Sequence, residues 1–255
     1  MELNYKKLGE SGQHLIILHG LFGSLDNWMT LGKELSEDYE VWLVDNRNHG
    51  QSPHSDLFDY PTMANDLKQF VTNNHIESPV VIGHSMGGKV AMHFASFYPD
   101  LLEKLIVVDI APVNYPVHHA QILSAMRSID FSKVDRRGDV DKLLAKKIEE
   151  GGVRQFLLKN LYWETKEKLA WRFNFNVLDE TIEEISAGMN INTPYSGDAL
   201  FIAGGKSDYI IAQYHPSIQE FFPQSSIKTI AHAGHWIHAE APEDFLTLVK
   251  GFIKR

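Results

Sequence analysis

The sequence predicts an α/β fold: a mainly parallel sheet with helices on both faces and one helical insertion. Three observations predict it. Short apolar runs alternate with longer amphipathic stretches over most of the chain. Turn or polar residues bound each apolar run. The alternation stops at about residue 111, gives way to a helical and charged pattern, and resumes near residue 194. Strands that alternate with helices must pair mostly in parallel, and such a sheet is covered on both sides.

In chain order, residues 14–18 (HLIIL), 41–44 (VWLV), 80–82 (VVI), 105–108 (LIVV) and 199–203 (ALFIA) read as buried strands. A strand covered on both faces needs no polar alternation, so it appears as a continuous apolar run. Residues 28–35, 63–74 and 86–97 carry helical spacing. A weaker strand at 227–230 precedes a last helix at 242–253, where Pro242 suits a first turn because no N–H is needed there. Between 111 and 193 the pattern predicts helices at 122–128, 140–149, 153–161 and 181–186 and no core-type strand. The expected organisation is a core of 1–110 and 194–255 with a helical cap at 111–193, and 192–197 (NTPYSG) as the return linker.

The 255 residues are 44% hydrophobic and 22% charged, ordinary values for a globular chain able to bury a substantial core. The net charge of -9 argues against nucleic acid and anionic membranes, which attract basic faces. With no cysteine, disulfides, thiolate zinc sites and cysteine nucleophiles are excluded. The first 15 residues lack the basic start and apolar stretch of a signal peptide, and no apolar run is long enough to span a bilayer. A cytoplasmic location is the expectation.

The sharpest chemical signal is Gly83-His84-Ser85-Met86-Gly87, followed by Gly88. It matches G-x-S-x-G and stands between a strand and a helix, the setting in which a serine is lifted onto a tight turn as a nucleophile. This makes the expected architecture an α/β-hydrolase fold. Neither Asp nor Cys occupies the turn, which disfavours dehalogenase and epoxide-hydrolase chemistry. An acyl-transfer serine needs N–H donors for the oxyanion. One should be Met86 N–H. The second should come from the loop His19-Gly20-Leu21-Phe22-Gly23, with Leu21 as the assignment and Phe22 as the fallback.

His235, in Ala233-Gly234-His235-Trp236, follows the last strand and is the expected base. Its place gives the chain order serine, acid, histidine of this fold. His232, His235, His238 and Glu240 have a spacing reminiscent of zinc, but a serine nucleophile needs no metal, and none is expected. His238 and Glu240 should instead bond within the loop. Two carboxylates fit the acid: Asp208, in Gly205-Lys206-Ser207-Asp208, and Asp109, at the end of the 105–108 strand. The residues alone do not choose. Asp45 also ends a strand but precedes Ser85, and is expected to be structural, paired with Arg47.

HGLFGSLDNW, VDNRNHGQS, GHSMGGKVAM, VDIAPV, WRFN and AGHWIHAE together resemble the YbfF-type bacterial esterases and their eukaryotic relatives of the ABHD-eleven type. The resemblance covers nearly the whole chain. It implies esterase or thioesterase activity on short acyl esters and acyl-CoA, and a helical cap over the site. It places the acid in VDIAPV, at Asp109. The sequence departs from that pattern by carrying Asp208 as well.

The expected function is therefore a carboxylesterase-type serine hydrolase acting on short to medium acyl esters, with acyl-CoA thioesters as a further class, and requiring no cofactor. Phe22, His84, Trp163 and Trp236 are the expected substrate contacts. Cap lysines 142, 146, 147 and 159 are candidate contacts to an anionic substrate, although charged helix faces are usually only solvated. Two other readings use the same residues: a ligand receptor or partner-binding protein without turnover, and a cofactor-free carbon–carbon hydrolase or perhydrolase.

Overall fold

The computed structural model describes residues 1–116, 119–190 and 193–255. Its strands are β1 (Tyr5–Leu8), β2 (His14–Leu18), β3 (Glu40–Val44), β4 (Val80–His84), β5 (Lys104–Val108), β6 (Leu161–Trp163), β7 (Leu169–Trp171), β8 (Ala199–Gly204) and β9 (Ser225–Ile230). Seven of them form one sheet in the order β1-β3-β2-β4-β5-β8-β9. All neighbours are parallel except β1, which runs antiparallel along β3. β3, β4, β5 and β8 are buried along their whole length, which is why each carries a continuous apolar run, with Glu40, His84 and Lys104 only at strand ends.

The helices are α1 (Met29–Leu35), α2 (Tyr60–Asn73), α3 (Met86–Phe97), α4 (Ala120–Arg127), α5 (Arg137–Leu144), α6 (Gly151–Leu158), α7 (Phe175–Glu180), α8 (Ile182–Ser186), α9 (His215–Phe221), α10 (Ile237–Glu240) and α11 (Pro242–Ile253). Side chains of successive strand residues point to opposite faces and divide the core in two. Ile16, Leu18, Val81, Leu105 and Val107 pack with Leu67, Phe70, Val90 and Phe94 of α2 and α3. Leu15, Ile17, Val80, Ile82 and Ile106 pack with Leu31, Leu35, Phe245 and Val249 of α1 and α11.

Between β5 and β8 the chain forms α4–α8 and a separate hairpin of β6 and β7. The sequence does not predict that hairpin, because three-residue strands are too short to set up a period. The segment's buried Leu123, Val140, Leu157 and Phe173 belong to the same apolar cluster as one face of the sheet. α5 stops at Leu144 rather than 149. Glu149 and Glu150 stand at the expected end, where acidic side chains oppose the dipole of a helix C-terminus. The two roots of the segment pair with each other: Tyr115 N–H donates to Ser186 O at 2.9 Å, and Met189 N–H to Pro112 O at 3.3 Å. Of the expected return linker 192–197, residue 192 lies outside the described residues.

β2 has β3 on one side and β4 on the other, so the loops leaving β2 and β4 diverge at the sheet's carboxyl edge. In parallel sheets ligands bind in the crevice at such a switch point. His19–Gly23 and Ser85 meet there.

Candidate active site

Ser85 links β4 to α3 with φ 52° and ψ −119°, a conformation that side chains rarely adopt. The turn is possible because of its glycines. A Cβ on Gly83 would lie 2.2 Å from Gly87 O, and one on Gly87 would lie 2.6 Å from His19 O. Ser85 N–H donates to Val108 O at 3.0 Å, so the turn is pinned to the end of β5.

His235 and Ser85 line one cleft, together with Phe22, His84, Phe156 and Trp236. Asp109 is fully buried, and its Oδ2 accepts from His235 Nδ1 at 2.8 Å. Gly204 N–H donates to Asp109 Oδ1 at 2.8 Å, and Ser207 Oγ donates to Oδ2. The carboxylate is thus aimed at the imidazole by β5, by the end of β8 and by the following loop. Asp109 itself has φ 50°, another strained position at a strand end. With Nδ1 turned to the carboxylate, Nε2 is the ring atom left to exchange protons. Asp208 is exposed and shares the wall of an open depression with His235, while the hydrogen bond at Nδ1 goes to Asp109.

The backbone N–H groups of Leu21 and Met86 have no hydrogen-bond partner among the described residues. Phe22 N–H, the fallback donor, is taken: it donates to His49 Nε2 at 3.2 Å. The β2 loop is held by a buried imidazole pair. His49 Nδ1 bonds Arg47 O at 3.0 Å. His19 Nε2 accepts from Asn46 N–H at 3.0 Å, and its Nδ1 bonds Gly20 O at 2.8 Å. Burial pushes the pKa of His19 down to about 4 and that of His49 down to about 3, so both serve as neutral struts. Asp45 accepts from Leu25 N–H at 2.7 Å and is structural, but Arg47 pairs with Asp66 at 2.6 Å rather than with Asp45.

His84 bonds through Nε2 to His235 O at 2.9 Å and so holds the backbone of His235. Burial holds its pKa well below that of a free imidazole. His238 stacks on Trp28 with ring centroids 4.2 Å apart, instead of forming the expected loop hydrogen bond. Glu240 does bond within the loop, accepting from Gly234 N–H at 2.7 Å and Trp236 N–H at 3.2 Å. His232 approaches Asp244 at 3.5 Å. These histidines are thus engaged separately, and no cluster suited to a metal occurs among the described residues.

Phe22, His84 and Trp236 line the cleft, but Trp163 does not. It ends β6 on the outer hairpin and is half exposed, so its expected role as a substrate contact is withdrawn. The inserted segment contributes Ile122, Val153, Phe156 and Leu157. No lysine lines this cleft among the described residues. Lys142 lies 3.8 Å from Asp139, and Lys147 donates to Ser124 O at 2.9 Å. A second, smaller pocket also reaches Ser85 and is bordered by Met86, Lys89, Tyr115 and Tyr209. Ser207, Tyr209 and Lys89 are site residues that sequence reasoning missed. The one usable signal was topological, since parallel β5 and β8 bring Asp109 and the residues after Gly204 to the same sheet edge. No described helix is long and apolar enough to cross a membrane.

The family model for the alpha/beta hydrolase fold matches residues 13–141. The sn-1-specific diacylglycerol lipase ABHD11 of Mus musculus is 39% identical over 247 residues, covering 94% of this chain and 80% of its own. Esterase YbfF of Escherichia coli is 37% identical over 258 residues, covering 99% of both. A solved marine microorganism esterase superposes with a TM-score of 0.96 at 42% identity, covering 98% of this chain and 99% of its own. By fold, motif and full-length similarity, the chain belongs to the α/β-hydrolase family.

Proposed function

We propose that the protein is a serine esterase in which Ser85 is the nucleophile, His235 the general base and Asp109 the orienting acid. The observation that carries this reading is the 2.8 Å bond from His235 Nδ1 to a buried Asp109, with His235 and Ser85 lining one cleft. Ser85 Oγ attacks the ester carbonyl carbon as His235 Nε2 takes its proton. The negative charge that develops on the carbonyl oxygen is met by the N–H groups of Leu21 and Met86. Asp109 stabilises the imidazolium, which then protonates the departing alkoxide. An acyl-enzyme is left. Water, deprotonated by the same imidazole, attacks it and releases the acid and free Ser85.

The substrates are carboxylic esters of short to medium acyl chains, and a thiolate can leave by the same route, so acyl-CoA thioesters are included. Apolar Ile122, Phe156 and Leu157 from the inserted segment 111–193 support its role as a cap that shields the acyl-enzyme. The test is initial rates on p-nitrophenyl esters of increasing acyl length, with acetyl-CoA and palmitoyl-CoA, for wild type and Ser85→Ala. Turnover that depends on Ser85 is expected. A folded wild type that forms an acyl adduct but does not cycle would instead identify a receptor.

A further inference from the structure

The Tyr209 ring lies flat against the imidazole of His235, with centroids 4.2 Å apart and planes inclined by 29°. Its backbone is fixed at both ends. Tyr209 N–H donates to Ser207 Oγ at 3.3 Å, and that hydroxyl also donates to Asp109. Tyr209 O accepts from Tyr115 Oη at 2.5 Å. Tyr115 Oη in turn accepts from Ala111 N–H at 2.8 Å, two residues beyond Asp109. The ring is therefore anchored to the ends of the two strands that aim the acid, and to a root of the inserted segment.

The other groups around the imidazole come from several elements. Asp109, from β5, bonds its Nδ1. His84, from β4, lies 4.8 Å away between ring centroids, and His238, from α10, lies 4.8 Å beyond His84. Lys206 and Asp208 share the open depression with His235, and their charges oppose each other. His119 and Ser85 line the cleft with it. Glu240 bonds the backbone on either side of it. Burial disfavours a charge on His84 and His238. In-plane stabilisation of an imidazolium thus comes from Asp109, and out-of-plane stabilisation from the electron-rich face of Tyr209.

We propose that Tyr209 is a positioning residue for this reaction: its ring is a π platform that holds the His235 imidazole between Asp109 and Ser85 and favours its protonated form during turnover. The proposal rests on the assignment of Ser85, His235 and Asp109 above. A platform of this kind acts on the step that charges the imidazole, so it affects kcat and the acid limb of the pH profile more than KM.

The experiment measures kcat, KM and the pH dependence of kcat/KM on p-nitrophenyl butyrate for wild type, Tyr209→Phe, Tyr209→Leu and Ser85→Ala. Thermal melting checks that each variant is folded. Tyr209→Leu should lower kcat about three- to thirtyfold, the scale of a cation–π contact, with KM changed less than about threefold. Its acid limb should move to lower pH by roughly half to one unit. Tyr209→Phe retains the ring and should stay within about twofold of wild type. An unshifted acid limb in Tyr209→Leu, a loss confined to KM, or a Phe variant as impaired as the Leu variant would each overturn the proposal. Activity that survives Ser85→Ala would remove the triad and this inference together. Loss in Ser85→Ala with a wild-type Tyr209→Leu would remove this inference alone.

Discussion

Phe22 donates its backbone N–H to Nε2 of buried His49 at 3.2 Å, and this bond removes Phe22 N–H from the free donors of the β2 loop. Phe22 has φ 58°, so the peptide is turned sharply at this point. Leu21, which lines the cleft, has no hydrogen-bond partner for its N–H among the described residues, and it is the proposed donor. His49→Ala should free the turn and misplace the Leu21 donor. Loss of an oxyanion donor costs about 100- to 1,000-fold, so a displaced one should lower kcat by roughly tenfold or more. Steady-state kinetics with little change in KM is the expected result. A kcat within twofold of wild type would return Phe22 to consideration.

The two carboxylates should separate cleanly on substitution. Asp109→Asn presents an amide N–H₂ or a weaker acceptor to His235 Nδ1, disturbing its tautomer. A kcat loss on the order of 10³- to 10⁴-fold is expected. Asp208→Asn alters an exposed side chain and should stay within about threefold. Equal losses in the two variants would contradict the geometry. Ser207→Ala leaves the His235 bond in place but removes a donor from Asp109, so its loss should be intermediate.

How far the sequence could be read follows from what each residue leaves in a pattern. β4 and β5 are buried along their whole length because both faces are covered, and their apolar runs 80–82 and 105–108 declare them. β1 has exposed side chains and the sequence YKKL, so nothing in its pattern marks it as a strand. Ser85 could be proposed because strand, turn glycines and helix constrain it locally. The residues alone did not choose between Asp109 and Asp208, because both follow apolar strands. Only the direction of the side chain separates them, and chain spacing does not encode direction. Ser207 and Tyr209 are an ordinary loop serine and tyrosine, whose roles exist only once β5 and β8 lie side by side. Trp163 was misread because a large aromatic in an inserted segment suits a pocket wall and an outer hairpin equally well.

Acid should destabilise the fold through its buried histidines. An unfolded histidine titrates near pH 6.5, whereas burial lowers His19 to about 4 and His49 and His238 to about 3. Between these values the unfolded chain binds protons that the folded chain excludes. The contribution of these groups is complete above about pH 6.5 and is lost as the pH falls toward 4 and then 3. Urea midpoints measured from pH 7 to 4 should fall accordingly. His238→Phe retains an aromatic ring against Trp28 but cannot titrate, so its midpoint should fall less steeply than that of wild type. Parallel curves would mean that His238 is not protonated on unfolding in this window.

Lys89 carries the remaining prediction. It lies on α3, four residues after Ser85, and is buried. Its Nζ donates to Val113 O at 3.1 Å, to Ser186 O at 3.3 Å and to Ala187 O. These carbonyls belong to both roots of the inserted segment, so one ammonium ties that segment to α3, the helix that follows Ser85. Its partners are carbonyls rather than a carboxylate, and burial pushes its pKa down to about 7. An unfolded lysine titrates near 10.4. Between about pH 7 and 10.4 the unfolded chain therefore holds a proton that the folded chain has released, and the lysine's contribution to stability rises with pH. Lys89→Met cannot make that gain. Its stability deficit against wild type should be smallest near pH 7 and should widen toward pH 10 in paired urea titrations. Cleavage by a protease near residues 113 and 187 should rise in the same variant, because those carbonyls lose their common donor. A deficit that stayed constant from pH 7 to 10 would mean that the three carbonyls hold the proton against burial, making Lys89 a permanent cation at the root of the insertion.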